Sequence, residues 1–187
     1  MTMKDETPRA FRTQEVYQEC LRFVAEKHHE QKVPGSDLPY LVHLCNVCME
    51  VMAALPHSEG VDGDLAIRAA LLHDCLEDTP TPPQALEKRY GSDLVQTVAA
   101  LTKNEDLPKE ERMADSLGRI KAAGTVAAMV KLADRITNLQ EPPSFWSPAK
   151  RKAYQAEARQ IHEALGELHP WLGKRLEAKI EAYGQWC

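Results

Sequence analysis

The run Leu71-Leu72-His73-Asp74-Cys75-Leu76-Glu77-Asp78 sets one imidazole and three carboxylates within six positions of an otherwise apolar stretch. On a helix, residues four apart share a face, so His73 is expected over Glu77 and Asp74 over Asp78. Like charges one turn apart repel, and Asp74 and Asp78 therefore call for a cation or a proton close by. A divalent metal is the simplest supplier. One buried His or Asp can be explained by packing alone. Four such groups beside Ala69-Ala70-Leu71-Leu72 cannot be explained so cheaply.

Two other segments carry similar signals. His43 opens an apolar helical pattern after Pro39-Tyr40-Leu41-Val42, and Asp134 interrupts the apolar face of Val130-Lys131-Leu132-Ala133-Asp134-Arg135-Ile136. Lys131 lies one turn before Asp134 and Asn138 one turn after it. Taken alone, His43 reads as a satisfied core or capping histidine, and Asp134 as a partner of the adjacent Arg135. Counted together, His43, His73, Asp74 and Asp134 form a set of two imidazoles and two carboxylates drawn from three helices. Such a mixed nitrogen and oxygen set suits manganese, iron, zinc or magnesium. Bundles build metal sites from inward side chains on facing helices in this way. Glu77 and Asp78, one turn from two of these residues, fit carboxylates that orient a water or protonate a leaving group. The plain alternative is a solvated helix end, but carboxylates there oppose the macrodipole and want a cation nearby.

The elements that must hold these groups read as all-helical. Apolar residues recur at helical spacing over 12–30, 40–55, 64–77, 83–90, 93–102, 108–123, 125–140, 149–165 and 170–184. No alternating β-branched run is long enough for a strand. Thr81 with Pro82, Ser92, Ser147 with Pro148, and His169 with Pro170 are the expected helix starts. Residues 1–10 are expected to fray. Residues 11–187 then make one domain, a single-domain multi-helix bundle with an extra C-terminal helix from about 170. That last helix, through Trp171, Leu172, Leu176, Ile180 and Tyr183, suits either a cover for the core or a homodimer contact.

Composition narrows the function. The net charge of −5 over 187 residues leaves no excess of Lys and Arg for nucleic acid, though a small phosphorylated ligand can still use a local basic pocket. No apolar run approaches the ~20 residues that span a bilayer, and the polar start lacks the apolar core of a signal peptide. A cytoplasmic protein is expected. The five cysteines read as free thiols, and Cys45-Asn46-Val47-Cys48 as helix-face cysteines, since no second ligand pair completes a zinc site.

The pattern H…HD…D across helices resembles the HD-domain metal phosphohydrolases. The longer strings are more specific. Pro39-Tyr40 with His43, Leu71-Leu72-His73-Asp74 with Glu77-Asp78-Thr79, and Leu132-Ala133-Asp134-Arg135 with Asn138-Leu139 resemble the hydrolase domain of the RelA/SpoT alarmone enzymes. The length, with no synthetase domain, is similar to the stand-alone small alarmone hydrolases, and the resemblance covers about residues 12–165. It implies metal-dependent release of pyrophosphate from the 3′ position of ppGpp or pppGpp, leaving GDP or GTP, with Mn2+ bound. By motif, His43, His73, Asp74 and Asp134 would hold the metal, and Glu77 and Asp78 would handle the water. Tyr40, Lys32, Lys109, Lys131, Arg135, Asn138, Lys150 and Tyr154 match positions that face the nucleotide.

One stretch departs from that pattern. The family's Arg- and Lys-rich segment before the Pro-Tyr pair is here Gln31-Lys32-Val33-Pro34, with Val33 and Pro34 at basic positions. Val and Pro cannot offer the planar stacking and donor fork of Arg. An adenine alarmone or a nucleotide phosphomonoester is thus an alternative substrate, and a non-catalytic nucleotide sensor is the alternative from another class.

Overall fold

A computed structural model describes residues 9–187 of the chain. The expected frayed segment lies outside the described residues over 1–8, and Arg9 already belongs to the first helix. The described residues contain no β-strand, only one isolated bridge between Lys32 and Pro39. The helices are α1 (Arg9–Lys27), α2 (Leu41–Ala54), α3 (Gly63–Leu72), α4 (Cys75–Asp78), α5 (Pro83–Tyr90), α6 (Ser92–Leu101), α7 (Arg112–Ala123), α8 (Thr125–Asn138), α9 (Pro148–Leu165) and α10 (Pro170–Tyr183).

Two helices are central. In α3, Ala66, Ile67, Ala69, Ala70, Leu71 and Leu72 are all fully buried, and the helix packs on α1, α2, α6 and α8. In α8, Ala127, Ala128, Met129, Val130, Leu132, Ala133 and Ile136 are likewise buried, and it packs on α2, α3, α6, α7, α9 and α10. Alanines on both helices let the backbones approach closely. Burying each large aliphatic side chain contributes ~1.5–3 kcal/mol, which makes α3 and α8 the rigid frame. Helix α2 packs against both. The site residues sit where these three helices meet.

The helix starts follow local chemistry, with three corrections. Asp62 caps α3, accepting from the N–H groups of Asp64 and Leu65. Ser147 caps α9 with Pro148 in the first turn, as its sequence implies. His169 caps α10, its Nδ1 accepting from Leu172 N, which leaves Nε2–H to donate to Ser58 Oγ at 2.8 Å. Thr81 does not cap α5: its hydroxyl pairs with Thr79 Oγ1, and Pro83 opens the helix. Ser92 does not cap α6 either, because it is the first helical residue, and Gly91 turns the chain at φ +89°. Helix α7 begins at Arg112 rather than 108, so Lys109 lies in the turn before it.

The C-terminal helix covers the core. Leu172, Leu176, Ile180 and Tyr183 are buried against α8 and α9, while Arg175 pairs with the buried Glu50 of α2. Trp171 stacks on His57.

Candidate active site

The expected single helix over 64–77 is interrupted at the His73-Asp74 pair. Helix α3 ends at Leu72 and α4 begins at Cys75, with Asp74 at φ −97°, ψ −1°. The interruption has a geometric reason. Neighbouring side chains on a regular helix diverge by about 100°, so both members of the pair could not face one point. The tightened turn lets them converge. His73 Nε2 lies 3.1 Å from Asp74 Oδ2 and 4.0 Å from Asp134 Oδ1, and His43 Nε2 lies 3.8 and 3.5 Å from the same two oxygens. One ligand atom each from His43, His73 and Asp134 falls within 4.8 Å of the others. Asp74 lies against both imidazoles, and its Oδ2 also accepts from Tyr40 OH at 2.5 Å.

This trio fits a divalent ion. His73 Nδ1 is 2.8 Å from Ala70 O, so that nitrogen carries the proton and Nε2 presents a lone pair to the site. His43 Nε2 and His73 Nε2 are both buried without a hydrogen-bond partner, the 3.1 Å approach to Asp74 lacking hydrogen-bond alignment. Two orphaned ring nitrogens facing two carboxylates are costly unless a cation unites them. The electrostatics show the same tension. Burial drives His43 below its ordinary value. Burial also pulls His73 down, but Asp74 and Asp134 outweigh it and raise that imidazole to about 9. Burial pushes Asp74 and Asp134 upward, yet His73 acting on the first, and Lys131 and the two imidazoles acting on the second, hold both below the usual carboxylate range.

Around this centre the acidic pair is tethered from outside its own helix. Glu77 accepts from Lys103 twice, from the backbone N–H at 3.0 Å and from Nζ at 2.5 Å. Asp78 accepts from Gln31 Nε2 at 2.8 Å. Asp134 accepts from Lys131 Nζ at 3.2 Å and from Asn138 Nδ2 at 2.6 Å, so Lys131 and Asn138 do flank it on one helical face.

Beside His43 opens a cavity of about 370 Å³. Tyr40, Asn138 and Tyr154 line it, together with Val33, Pro34, Leu38, Asn46 and Trp146. Gly35 closes its rim at φ +80°, where a Cβ would come within 2.8 Å of Pro143. The remaining expected contacts are placed differently. Arg135 is buried and lies over the Tyr154 ring at 4.3 Å, with Nε and Nη1 unpartnered. Lys150 Nζ sits over the Trp146 ring at 4.2 Å. Lys32 is exposed and pairs with Asp37 at 2.6 Å. Lys109 is exposed and is not among the cavity residues. Lys103 was not apparent from the sequence. It follows the apolar end of α6 and shows no local pattern linking it to Glu77, 26 residues away. Tyr183 also lines the cavity, from the helix beyond the resemblance. Cys45 and Cys48 are free thiols, and burial pushes Cys48 up to about 12, so it stays protonated.

Comparison with known proteins agrees with this arrangement. The model of the HD domain matches residues 21–168. The mouse (Mus musculus) protein named guanosine-3′,5′-bis(diphosphate) 3′-pyrophosphohydrolase MESH1 is 30% identical over 171 residues, covering 89% of this chain and 93% of that protein. The Drosophila melanogaster protein of the same name is 31% identical over 156 residues, covering 80% and 84%. A solved structure of a metazoan SpoT orthologue, described as hydrolysing ppGpp, superposes with a TM-score of 0.79 at 27% identity, over 90% of this chain and 96% of that one. No helix among the described residues is long and apolar enough to cross a membrane. HD hydrolases bind a divalent metal, and the His43-His73-Asp134 trio supplies a site for one. With the motif residues gathered at one point and the match running through nearly the whole chain, this protein belongs to the HD-domain family, among the metal-dependent hydrolases of the RelA/SpoT type.

Proposed function

We propose that this chain removes pyrophosphate from the 3′ position of guanosine alarmones, ppGpp and pppGpp, releasing GDP or GTP, with Mn2+ as its metal. The observation that carries the reading is the pair of tethered carboxylates, Glu77 and Asp78, one turn beyond His73 and Asp74, of which His73 meets His43 and Asp134. A divalent ion held by His43, His73, Asp74 and Asp134 would neutralise phosphate oxygens and acidify a water. The chain's own residues do the rest. Asp78, oriented by Gln31, takes the proton from the attacking water. Glu77, held by Lys103, helps to orient that water, and the proton taken up by Asp78 passes to the 3′ oxygen as the P–O bond breaks. The water oxygen becomes part of pyrophosphate, and the nucleoside leaves with a 3′ hydroxyl. Lys131 and Arg135 bring positive charge to the phosphate side, and Tyr40, Asn138 and Tyr154 face the nucleotide.

The substrate is a free nucleotide of the cytoplasm, in keeping with a net charge of −5 that leaves no overall excess of Lys and Arg for nucleic acid. A second reading, preference for an adenine alarmone, rests on the cavity lining, which includes Val33, Pro34 and Leu38 and neither Lys nor Arg. The test is purified protein with Mn2+ offered ppGpp, pppGpp and ppApp, with products resolved by anion exchange. Pyrophosphate with GDP or GTP is expected. Release of monophosphate alone, or no turnover in metal-loaded protein, would sink the assignment. Asp78→Asn is expected to keep its metal while losing turnover by about 10²–10⁴-fold.

A further inference from the structure

Behind Asp78 a hydrogen-bonded line runs inward from the exposed Gln31–Asp78 bond to two buried side chains, His28 and Cys75, that the reaction as described does not use. His28, at the end of α1, is only 3% exposed. Its Nδ1 lies 2.5 Å from Gln31 Oε1, and its Nε2 lies 3.7 Å from the buried Cys75 Sγ. Gln31 Nε2 in turn donates to Asp78 Oδ2 at 2.8 Å. The His28 ring stacks on Tyr40, centroids 5.3 Å apart and planes 27° from parallel, and Tyr40 OH holds Asp74.

The directions of the two Gln31 bonds in this line are fixed by chemistry, and that of the Cys75 contact follows for a neutral ring. An ionised carboxylate only accepts, so Gln31 must turn its NH2 toward Asp78 and its carbonyl oxygen toward His28. That oxygen needs a donor, which assigns the proton to His28 Nδ1. His28 Nε2 is then an acceptor, and Cys75 supplies the thiol hydrogen. With the other histidine tautomer, Nδ1 would demand a donor from Gln31, and the amide would flip its oxygen onto the carboxylate of Asp78.

We infer that His28 is a positioning residue for the hydrolysis: by its tautomer and its stacking on Tyr40 it holds the Gln31 amide in the one orientation that fixes Asp78. His28 is neither one of the metal trio nor itself a cavity residue; it reaches the site through Gln31 and through its stacking on Tyr40. The inference rests on the reading of Asp78 as the carboxylate that handles the water.

The experiment compares His28→Leu, His28→Asn, Gln31→Leu, the double variant His28→Leu/Gln31→Leu, and Asp78→Asn. Each is assayed for kcat and KM on ppGpp, manganese content and thermal melting. His28→Leu and Gln31→Leu should each lower kcat about ten-fold, as for loss of a hydrogen bond to a charged group, with KM within about two-fold and metal retained. The double variant should lose no more than either single one, because both cut the same line. Asparagine places its amide N–H where Nδ1–H stood, so His28→Asn should recover most of the lost kcat. A folded, metal-loaded His28→Leu with ordinary turnover would overturn the inference. So would losses that multiply in the double variant, or an Asn variant no better than Leu. If His28→Leu fails to fold, Gln31→Leu and His28→Asn carry the test on the same criteria. Full activity in Asp78→Asn would remove the underlying reading. A dead Asp78→Asn beside a fully active His28→Leu would remove only the role of His28.

Discussion

The metal side and the nucleotide side of this site are built on opposite plans. On the metal side, His43, His73, Asp74 and Asp134 come from packed helices or their ends, and their side chains face one another within 4.0 Å. Their positions are over-determined by the buried frame of α3 and α8, and a small displacement would leave a charge unpaired in the interior. On the nucleotide side, half of the lining comes from two loops, 33–38 and 140–146, meeting where Gly35 approaches Pro143. Few of its groups are charged. The contrast teaches where specificity can change cheaply: a loop that packs aliphatic side chains can exchange them without disturbing the reaction centre.

The comparison can be broken most severely on the metal side. His73→Ala or Asp134→Ala should abolish metal binding and reduce turnover by at least ~10³-fold, beyond the loss of a proton-handling group alone. Metal analysis and turnover of the purified variants check this. Variants that keep stoichiometric metal would show that the trio is not the binding site. Chelation of the wild-type protein should likewise stop turnover and lower its melting temperature, since a bound ion at 100 times its Kd stabilises the fold by about 2.7 kcal/mol. An unchanged melting curve on metal removal would count against a structural role for the ion.

Smaller effects are expected from residues that hold the acidic pair. Lys103→Met should lower kcat by about three- to ten-fold with little change in KM. The Lys103 side chain is 59% exposed, so solvent screens much of its pull on Glu77. A Lys103→Met enzyme with wild-type kcat would make the pair a surface ornament. The mildest change belongs to the nucleotide side. Val33→Arg should raise the ratio of ppGpp to ppApp turnover by about ten-fold or less while leaving metal content untouched, because Arg restores a donor fork for a guanine edge. An unaltered ratio would show that base choice is made elsewhere in the cavity.

How far these features were legible depends on how locally they are encoded. The all-helical architecture follows from apolar spacing, and the stops at Thr79-Pro80 and Pro142-Pro143 follow from proline chemistry. His43, His73, Asp74 and Asp134 stood out because polar groups interrupting apolar faces need a reason. The break between α3 and α4 did not show, since His73 and Asp74 continue the helical pattern, and only the need to converge on His43 and Asp134 tightens the turn. Thr81 and Ser92 carry capping side chains, yet neighbouring Pro83 and Gly91 set the actual helix starts. Lys32 matches the family's base-facing stretch and Lys109 a phosphate-facing position; both are exposed, and neither is among the residues that line the cavity.

The sequence by itself determined the helices, the buried frame and the identity of the metal-type donor set, because these depend on residue type and on spacing within about one or two turns. Only the tertiary structure decided that Lys103 reaches Glu77 and that His28 supports Asp78 through Gln31. It alone placed Tyr183 in the cavity wall. Those relations join residues separated by tens of positions, and no periodicity along the chain records them; they exist only once α1, α6 and α10 are packed around α3 and α8.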